Sequence, residues 1–563
     1  MKNGSSAQLL LACALLSATH TSLAEEATKS APPMSEKDVL QLQVKTQTLI
    51  NVLVQKGIID AETARTLNTK AEQETAKRYS DPTEVVPSSQ KDKPVAIEPG
   101  VVRVPYVSKN VRDQIRNEVQ ADVEKNVLES VMKKAETERW GVPNSWPSWL
   151  QKIKLTGDVR FRAEVDKFAE ENSEQYIDIL AVNKAGGTIP AGQAAFLNTT
   201  EDTQRLRLRA RLGVNVAVAS GWDLGLRLAS GSGTNPVSSN FTLGTSLSNS
   251  AFNLDRAYLG YKSPAKELQM WAGRFANPWL STDLVWDDDI SFGGLATTYA
   301  PLRARLASAE SGLDPYITLG AFPIDDIEQS SNDKWLYGAQ AGFNFLWENQ
   351  NSLKFGLAYY SYDNIRGQFN SFGSNLQDFT APKFVQKGNT LFDIRNDDKT
   401  NTQFAALASD YKEANITVVY DIANFAPTHI VFIADFVRNI GFNARENLLD
   451  LEASTQLDFD ANAIEDHVDG HKIEVLVGWP KISKKNDWNV SVAYKMLESD
   501  AVLDAFTDSD FHLGGTDASG YILKAQYGWA DNVWTSFQLL SANEIHGAPF
   551  GVDVWQIDMH MKF

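Results

Sequence analysis

Two hydrophobic periodicities divide the chain. In residues 35–79 and about 111–140, apolar residues recur every three or four positions, which is typical of a helix. From Lys152 to the C-terminus, apolar and polar residues alternate instead, as they do along a β-strand with one buried and one wet face. The pattern therefore predicts a helical front end followed by a long antiparallel all-β region.

The alternation is sharpest in residues 205–218, RLRLRARLGVNVAV. Arginine occupies the first four odd positions, and leucine, alanine or valine occupies every even position. A soluble sheet with its arginines in water would show the same pattern. Similar segments recur to the C-terminus, however, and many reach about 9 to 11 residues, the length of a tilted membrane strand. This persistence favours a transmembrane β-barrel.

Connection lengths test the barrel independently, because outer-membrane barrels alternate short periplasmic turns with long external loops. The connections 220–221 and 262–267 are short, whereas 166–202 and 231–251 are long. Residues 401–409 are kept in a loop, because a strand there would break the alternation. We expect about sixteen antiparallel strands with both ends periplasmic, enough to enclose an aqueous lumen. The predicted starts lie near residues 153, 203, 222, 252, 267, 289, 315, 335, 351, 414, 428, 468, 487, 519, 532 and 552.

The first residues have the features of a secretory signal peptide, 1–24. Lys2 precedes an apolar run over 9–18, and 22–24 (Ser-Leu-Ala) is a small-x-small cleavage site. A transmembrane anchor would need about 20 apolar residues, roughly twice this run. A lipoprotein site at Cys13 is the other alternative, but the apolar run continues beyond that cysteine.

The region before the barrel is predicted in three parts. Residues 25–80 carry two helical stripes, which predict a helical hairpin or a short coiled coil; a solvated helix pair without a partner fits equally well. A proline-rich linker follows over 81–107. Apolar residues four apart then predict a helix over 108–140 without a well-defined face. The barrel is assigned to 141–563.

Composition narrows the function classes. The net charge of −18 argues against a nucleic-acid partner, which usually needs a basic face. Cys13 is the only cysteine, so the exported chain would have no disulfide, and a closed barrel is one way to gain stability without one. The mean hydropathy of −0.29 resembles that of a soluble protein. A barrel escapes this measure because only alternate residues face lipid.

Two stretches carry a family resemblance. They are NLDRAYLGYKSPAKELQMWAGRFANPWLSTDLVWDDDISFGG (253–294) and ERWGVPNSWPSWLQKIKLTGDVRFRAE (138–164). The first resembles the putative porin family of bacterial outer membranes, and the second resembles that family's junction between helix and barrel. The resemblance implies an outer-membrane porin without a defined solute. Trimers are common in large porins, so a homo-oligomer is expected by analogy.

The polar faces would line the lumen if the apolar faces meet lipid. Arginines of the first three strands then stack into a basic wall, which water and salt screen over about 8 to 10 Å. We expect the fifth connection to fold inward and to set an acidic patch against this wall, because charged walls set selectivity at a constriction. Alternatively, the arginines pair with lumen acids such as Asp158, Glu164 and Asp255 and only hold the barrel shape. The wall comprises Arg160, Arg162, Arg205, Arg207, Arg209, Arg211 and Arg227, and the loop acids are Asp283, Asp287, Asp288 and Asp289.

The final segment, VDVWQIDMHMKF, has the pattern of a closing strand. Asp558, His560 and Lys562 should face the lumen beside the start of the first strand, near residues 152–154. The terminal aromatic residue resembles the signal that the outer-membrane assembly machinery reads on its substrates. The lipid-facing residues that form this expected signal are Trp555, Ile557, Met559, Met561 and Phe563.

Two other function classes compete with a passive channel for small hydrophilic solutes or ions. A barrel hydrolase needs a nucleophile and a histidine close in space, and no such motif is visible, so we expect no enzyme and no cofactor. His467 and His471, with Asp466 and Asp469, open a strand rather than a helix, so only a weak metal site could form there. A tethering protein, whose helical region binds peptidoglycan or sister subunits, stays open and does not exclude a pore. The expected location is the outer membrane, with lipid around the barrel and a periplasmic helical region.

Overall fold

The computed structural model describes residues 152–563, apart from 188–194, 245, 247–248, 307–310, 329–330, 398–401 and 444–465. The predicted signal peptide (1–24), hairpin or coiled coil (25–80), linker (81–107) and helix (108–140) lie outside these residues. The first part of the predicted barrel domain, 141–151, also lies outside them. None of the helices in the described ranges is long and apolar enough to cross a membrane.

Sixteen long strands of the described chain form one closed antiparallel barrel. Each strand pairs with the next in sequence, and the last pairs back onto the first. The strands are β1 (Ile153–Phe168), β2 (Thr203–Ala219), β3 (Trp222–Ser230), β4 (Phe252–Lys262), β5 (Leu268–Ala276), β6 (Ser291–Tyr299), β7 (Gly312–Asp325), β8 (Lys334–Leu346), β9 (Ser352–Asp363), β10 (Lys412–Ile422), β11 (His429–Asn439), β12 (Asp469–Gly478), β13 (Trp488–Leu497), β14 (Ala518–Ala530), β15 (Val533–Glu544) and β16 (Gly551–Lys562).

The prediction of about sixteen strands is confirmed. Each predicted start lies within about three residues of the observed one, and the offset is as large as this at β7, predicted near 315 and observed at Gly312. Residues Ala405–Leu407, which the prediction kept in a loop, pair with Leu391–Asp393 in a separate two-stranded sheet. A two-residue strand, Phe241–Thr242, pairs with β2 beyond the end of β3.

Short helices in the described chain lie within the connections. They are α1 (Ile179–Lys184) between β1 and β2, α2 (Arg303–Leu306) between β6 and β7, and the 3₁₀ turns Asp378–Thr380, Asp504–Phe506 and Phe511–Leu513. The Asp178 side chain accepts a hydrogen bond of 2.9 Å from the Ala181 amide, which caps α1. The wall itself is therefore entirely β-structure.

The last strand closes the barrel with an offset. Phe563 exchanges backbone hydrogen bonds with Gly157, and Lys562 lies opposite Asp158. The expected pairing near residues 152–154 is therefore wrong. Strands in a closed barrel are tilted and staggered, so the first residues of β1 extend past the end of β16 and pair only with β2.

Side chains alternate across the wall with a period of two. Along β1, Leu155 and Val159 are exposed on the outer face, whereas Asp158 and Arg160 lie inside and form ion pairs. Because the outer face carries large apolar residues on every side of the barrel, it forms the band that such barrels present to lipid.

Aromatic rings collect on the strand ends beside the short turns. Trp222 and Tyr261 lie 4.9 Å apart between ring centroids, and Trp479 and Trp488 lie 5.8 Å apart. This is the position of the aromatic girdle at a membrane interface. We refer to this end of the barrel as the short-turn end, and to the other as the long-loop end.

Candidate pore constriction

The connection between β5 and β6, residues 277–290, is anchored on two distant strands and is called the first loop. On β8, the Gln340 side-chain amide donates to the Leu280 carbonyl and accepts from the Leu280 amide, both at 2.8 Å. On β11, the buried Asp435 accepts from the Thr282 amide at 3.1 Å and from the Thr282 hydroxyl at 2.6 Å. These bonds satisfy backbone groups that would otherwise be buried without partners.

Aspartates of the first loop reach two further strands. Asp289 forms ion pairs with Arg209 (3.2 Å) and Arg211 (3.0 Å) of β2. Asp283 forms an ion pair with Lys472 of β12. Because β2, β8 and the adjacent strands β11 and β12 lie in three different parts of a closed barrel, a segment that contacts all of them passes through the interior.

The first loop also has an apolar core, which a solvated loop would lack. Leu284, Val285 and Trp286 are almost completely buried. The Trp286 ring packs edge-on against Tyr360 of β9 at 5.2 Å and lies 6.1 Å from Phe506. Burial of an apolar side chain of this size contributes about 1.5 to 3 kcal/mol. The loop is therefore held as firmly as a core element.

A second connection, between β13 and β14, packs against the first and is called the second loop (498–517). The Ser509 amide donates to Asp287 of the first loop at 3.0 Å. Asp510 accepts two hydrogen bonds, of 2.8 and 2.9 Å, from the guanidinium of Arg162 on β1. The second loop thus links the first loop to β1.

The arginines proposed as a basic wall point into the barrel, and each lies within 3.9 Å of a carboxylate. Most of their charge is therefore neutralised, and the lumen acids named from the sequence are among the partners. The pairs are Arg160 with Asp558; Arg162 with Glu164, Asp510 and Asp558; Arg205 with Glu164 and Asp166; Arg207 with Glu164; Arg209 and Arg211 with Asp158 and Asp289; and Arg227 with Asp255.

A cavity of about 530 Å³ separates the first loop from the opposite wall. Asp288 is exposed towards it, and neither Asp288 nor Lys524 of β14 forms an ion pair within the described part of the chain. The Lys562 ammonium lies 5.0 Å from the centre of the Trp534 ring. The loop side carries Asp283, Asp287, Asp288 and Asp289. The wall side carries both signs of charge, with the basic residues in excess: Arg160, Arg162, Arg209, Lys472, Glu474, Lys524, Asp558, His560 and Lys562.

The loop aspartates differ in how strongly they hold a proton. Burial would raise the pKa of Asp283, but lysines of β12 and β13 outweigh it and hold that pKa below its ordinary value. Burial acts in the same way on Asp289, whose pKa the β2 arginines lower. Burial raises the pKa of Asp287 well above its ordinary value, and neighbouring aspartates raise it further. Asp288 faces the cavity, but the surrounding protein displaces much of the water around it and raises its pKa; Asp283 raises that pKa further, although Lys524 opposes this.

The residues of the proposed assembly signal share the outer face of β16. The side chains of Trp555, Met559 and Met561 are exposed, and Ile557 is half-buried on the same face. Phe563 is 70% exposed, and its amide and carbonyl bond the carbonyl and amide of Gly157 at 3.0 and 3.1 Å. Asp558 lies on the inner face, opposite Arg162.

Sequence reasoning missed the charges that face the first loop from the far wall and from the second loop. These are Lys472, Lys495, Lys524, Asp508 and Asp510. One signal was available: the segments LVW (284–286) and AVLDAF (501–506) are too apolar for solvated loops. Such runs in a long connection indicate that it packs on a core.

A closed antiparallel barrel of this size, with a charged cavity inside, defines the class of channel-forming membrane barrels. The family model described as "Putative porin" matches residues 43–563, and the chain belongs to that family. Family membership and the barrel support a channel in the bacterial outer membrane.

No curated protein matches the chain. Among solved structures, the chain is similar to Pseudomonas putida OprB, with 12% identity over 75% of this chain and 97% of that chain and a TM-score of 0.43. It is similar to the outer membrane channel DcaP of Acinetobacter baumannii, with 12% identity, 73% and 97% coverage and a TM-score of 0.37. It is also similar to a triple mutant of Rhodopseudomonas blastica porin, with 12% identity, 73% and 100% coverage and a TM-score of 0.33.

Proposed function

We propose that the protein is an outer-membrane porin, a water-filled channel for passive diffusion of small hydrophilic solutes or ions. The observation that carries this proposal is the cavity inside the barrel, in which the aspartates of the first loop face Arg160, Lys524 and Lys562 of the wall. A passage lined by opposite charges on facing sides produces a transverse field, which orients dipolar solutes while the loop limits their size.

The paired arginines and the unpaired charges have different roles in this proposal. Arg205 and Arg207 bind buried carboxylates of their own wall, so they mainly hold neighbouring strands together. A charge without a counter-ion exerts a stronger field on a passing ion, because no neighbouring opposite charge cancels that field. We therefore assign selectivity chiefly to Asp288, Lys524 and Lys562, with Arg209 at the edge of the cavity.

Reversal potentials under a salt gradient test the assignment in planar bilayers. Lys524→Gln should shift the selectivity of the purified protein towards cations, and Asp288→Asn should shift it towards anions. Lys167→Gln is the matched control, because Lys167 is an exposed lysine paired with Asp202 at the long-loop end, away from the cavity.

Three outcomes would count against the proposal. Reversal potentials that do not change in either cavity variant would remove the selectivity assignment. Shifts of the same size in the Lys167 control would show a general surface-charge effect. Wild-type protein that folds in the bilayer but gives no open-channel steps would contradict the channel itself.

A further inference from the structure

Three potential metal ligands meet at the long-loop end of the barrel, and each belongs to a different connection. His467 ends the β11–β12 connection, Glu498 begins the second loop, and His546 lies between β15 and β16. One ligand atom from each side chain lies within 4.8 Å of the other two. Ligand atoms on one Zn²⁺ are at most about 4 Å apart, so small side-chain rotations close the remaining gap.

The ligand atoms are already oriented by neighbouring groups. The Nδ1 atom of His546 lies 3.0 Å from Asp517, which leaves Nε2 free. Asp517 is itself fixed, because it accepts a hydrogen bond of 2.8 Å from the Gly547 amide. One Glu498 oxygen accepts from the Asp469 amide at 2.8 Å, which leaves the other oxygen free.

The imidazole rings of His467 and His546 are in contact. Their ring centroids lie 3.5 Å apart and their planes differ by 21°. The two rings are therefore adjacent and close to Glu498. Because an imidazole nitrogen binds a metal in the plane of its own ring, one ring must turn out of the stack for both nitrogens to reach one ion. A carboxylate behind a histidine is the usual support of a metal-binding imidazole, because it fixes the ring orientation and raises its basicity.

We propose that His467, Glu498 and His546 bind a divalent cation of the zinc class, with water in the remaining position. Two imidazoles and one carboxylate suit Zn²⁺ and its neighbours in the first transition series. The set does not suit Ca²⁺ or Mg²⁺, which take oxygen ligands. Asp517 is the positioning residue, and the bound ion joins three connections at the rim of the barrel.

His471 does not belong to this site, although it stands close to His467 in the sequence. It lies on the outer face of β12, with its ring 6.3 Å from that of Phe436 and 5.8 Å from that of Tyr494. The pair His467 and His471, considered from the sequence, is therefore split by the fold. His471 offers a matched control, since it is a histidine four positions away.

Isothermal titration of the detergent-solubilised full chain with ZnCl2, after removal of any affinity tag, tests the proposal. Wild-type protein should bind one Zn²⁺ per chain, and MgCl2 should give no heat. His546→Gln and Glu498→Gln should weaken binding at least about 100-fold, and Asp517→Asn about 10- to 100-fold. His471→Gln should bind as the wild type does.

Cobalt absorption keeps the test decisive even if a variant folds poorly. Co²⁺ titrated into wild-type protein should give the visible bands of a four-coordinate site, and equimolar ZnCl2 should remove them. The proposal is overturned if wild-type protein binds no stoichiometric Zn²⁺. It is also overturned if folded His546→Gln keeps the wild-type affinity, or if His471→Gln loses affinity as much as His546→Gln does.

Discussion

Replacing Arg162 by methionine should destabilise the barrel by several kcal/mol. The Arg162 side chain is only 3% exposed. Its guanidinium donates two hydrogen bonds to Asp558 of β16 (2.7 and 3.0 Å) and two to Asp510 of the second loop (2.8 and 2.9 Å). Methionine preserves much of the packing volume but no donor, so Asp510 would lose its ion-pair partner and Asp558 would keep only the longer contact with Arg160, at 3.9 Å.

The magnitude follows from the burial of the pair. Removing one partner of a buried ion pair costs about 3 to 5 kcal/mol, because a charge is left uncompensated. Arg205 provides the comparison, since it also binds buried carboxylates but its own side chain is 36% exposed. Solvent reaches the Arg205 guanidinium, and Asp166 keeps its hydrogen bond from the Thr203 hydroxyl, so Arg205→Gln should cost less than Arg162→Met does.

Urea unfolding in lipid vesicles, followed by tryptophan fluorescence, measures the difference in free energy of unfolding between the wild type and each variant. The comparison is valid when all proteins have the same dependence on urea concentration. Replacing Asp510 and Asp558 by asparagine in the methionine variant should recover much of the lost free energy of unfolding. The reasoning is refuted if Arg162→Met unfolds at the wild-type urea midpoint. It is equally refuted if Arg205→Gln is destabilised to the same extent.

Three further predictions concern the loops and the closing strand. Asp435→Ala removes both hydrogen bonds to Thr282, so the first loop should loosen and single-channel conductance should rise; unchanged conductance would show that other contacts suffice. Burial raises the pKa of Asp504 to about 7, whereas in the unfolded chain the same carboxyl ionises at about pH 4. Asp504 therefore lowers the free energy of unfolding progressively as the pH rises from about 4 to 7, and by a constant amount above about pH 7. Asp504→Asn should therefore stabilise the protein by about 2 to 4 kcal/mol at pH 8 and by half of that or less at pH 5, in urea titrations at both pH values; equal effects would contradict the linkage. A Cβ at Gly157 would lie 2.3 Å from the Phe563 ring, so Gly157→Val and deletion of Phe563 should each lower the amount of heat-modifiable folded barrel in the membrane fraction, and normal levels would argue against their role in assembly.

The wall of the barrel could be predicted from the sequence because its signal is local. Each strand alternates apolar and polar residues, and each turn length is visible without knowledge of the fold. A slip of one residue would move every apolar side chain of a strand to the wrong face, which is why the strand starts were so well defined. The stagger between β16 and β1 was not visible, because it depends on the tilt of the whole barrel.

The interior could be predicted only in part, because its contacts join residues far apart in the chain. The alternating sequences of β1 and β2 predict charged side chains on their inner faces, but they do not identify the residues that pair with these charges. Lys472 and Lys524 occupy ordinary polar positions on their strands, and only the path of the first loop brings Asp283 and Asp288 near them. The second loop has no periodicity, so its buried aspartates resembled solvated ones.

The anchors of the first loop have a consequence for the order of assembly. Asp435, Lys472 and Ser509 lie 153, 189 and 222 residues beyond the loop residues that they bind. Such distant contacts form late, because the intervening chain must be ordered first. The strands that complete the wall are the same ones that fix the loop across it. On the proposed function, a half-inserted barrel would have neither a complete wall nor a constricting loop in place, so both would form together and no wide, unobstructed pore would precede them.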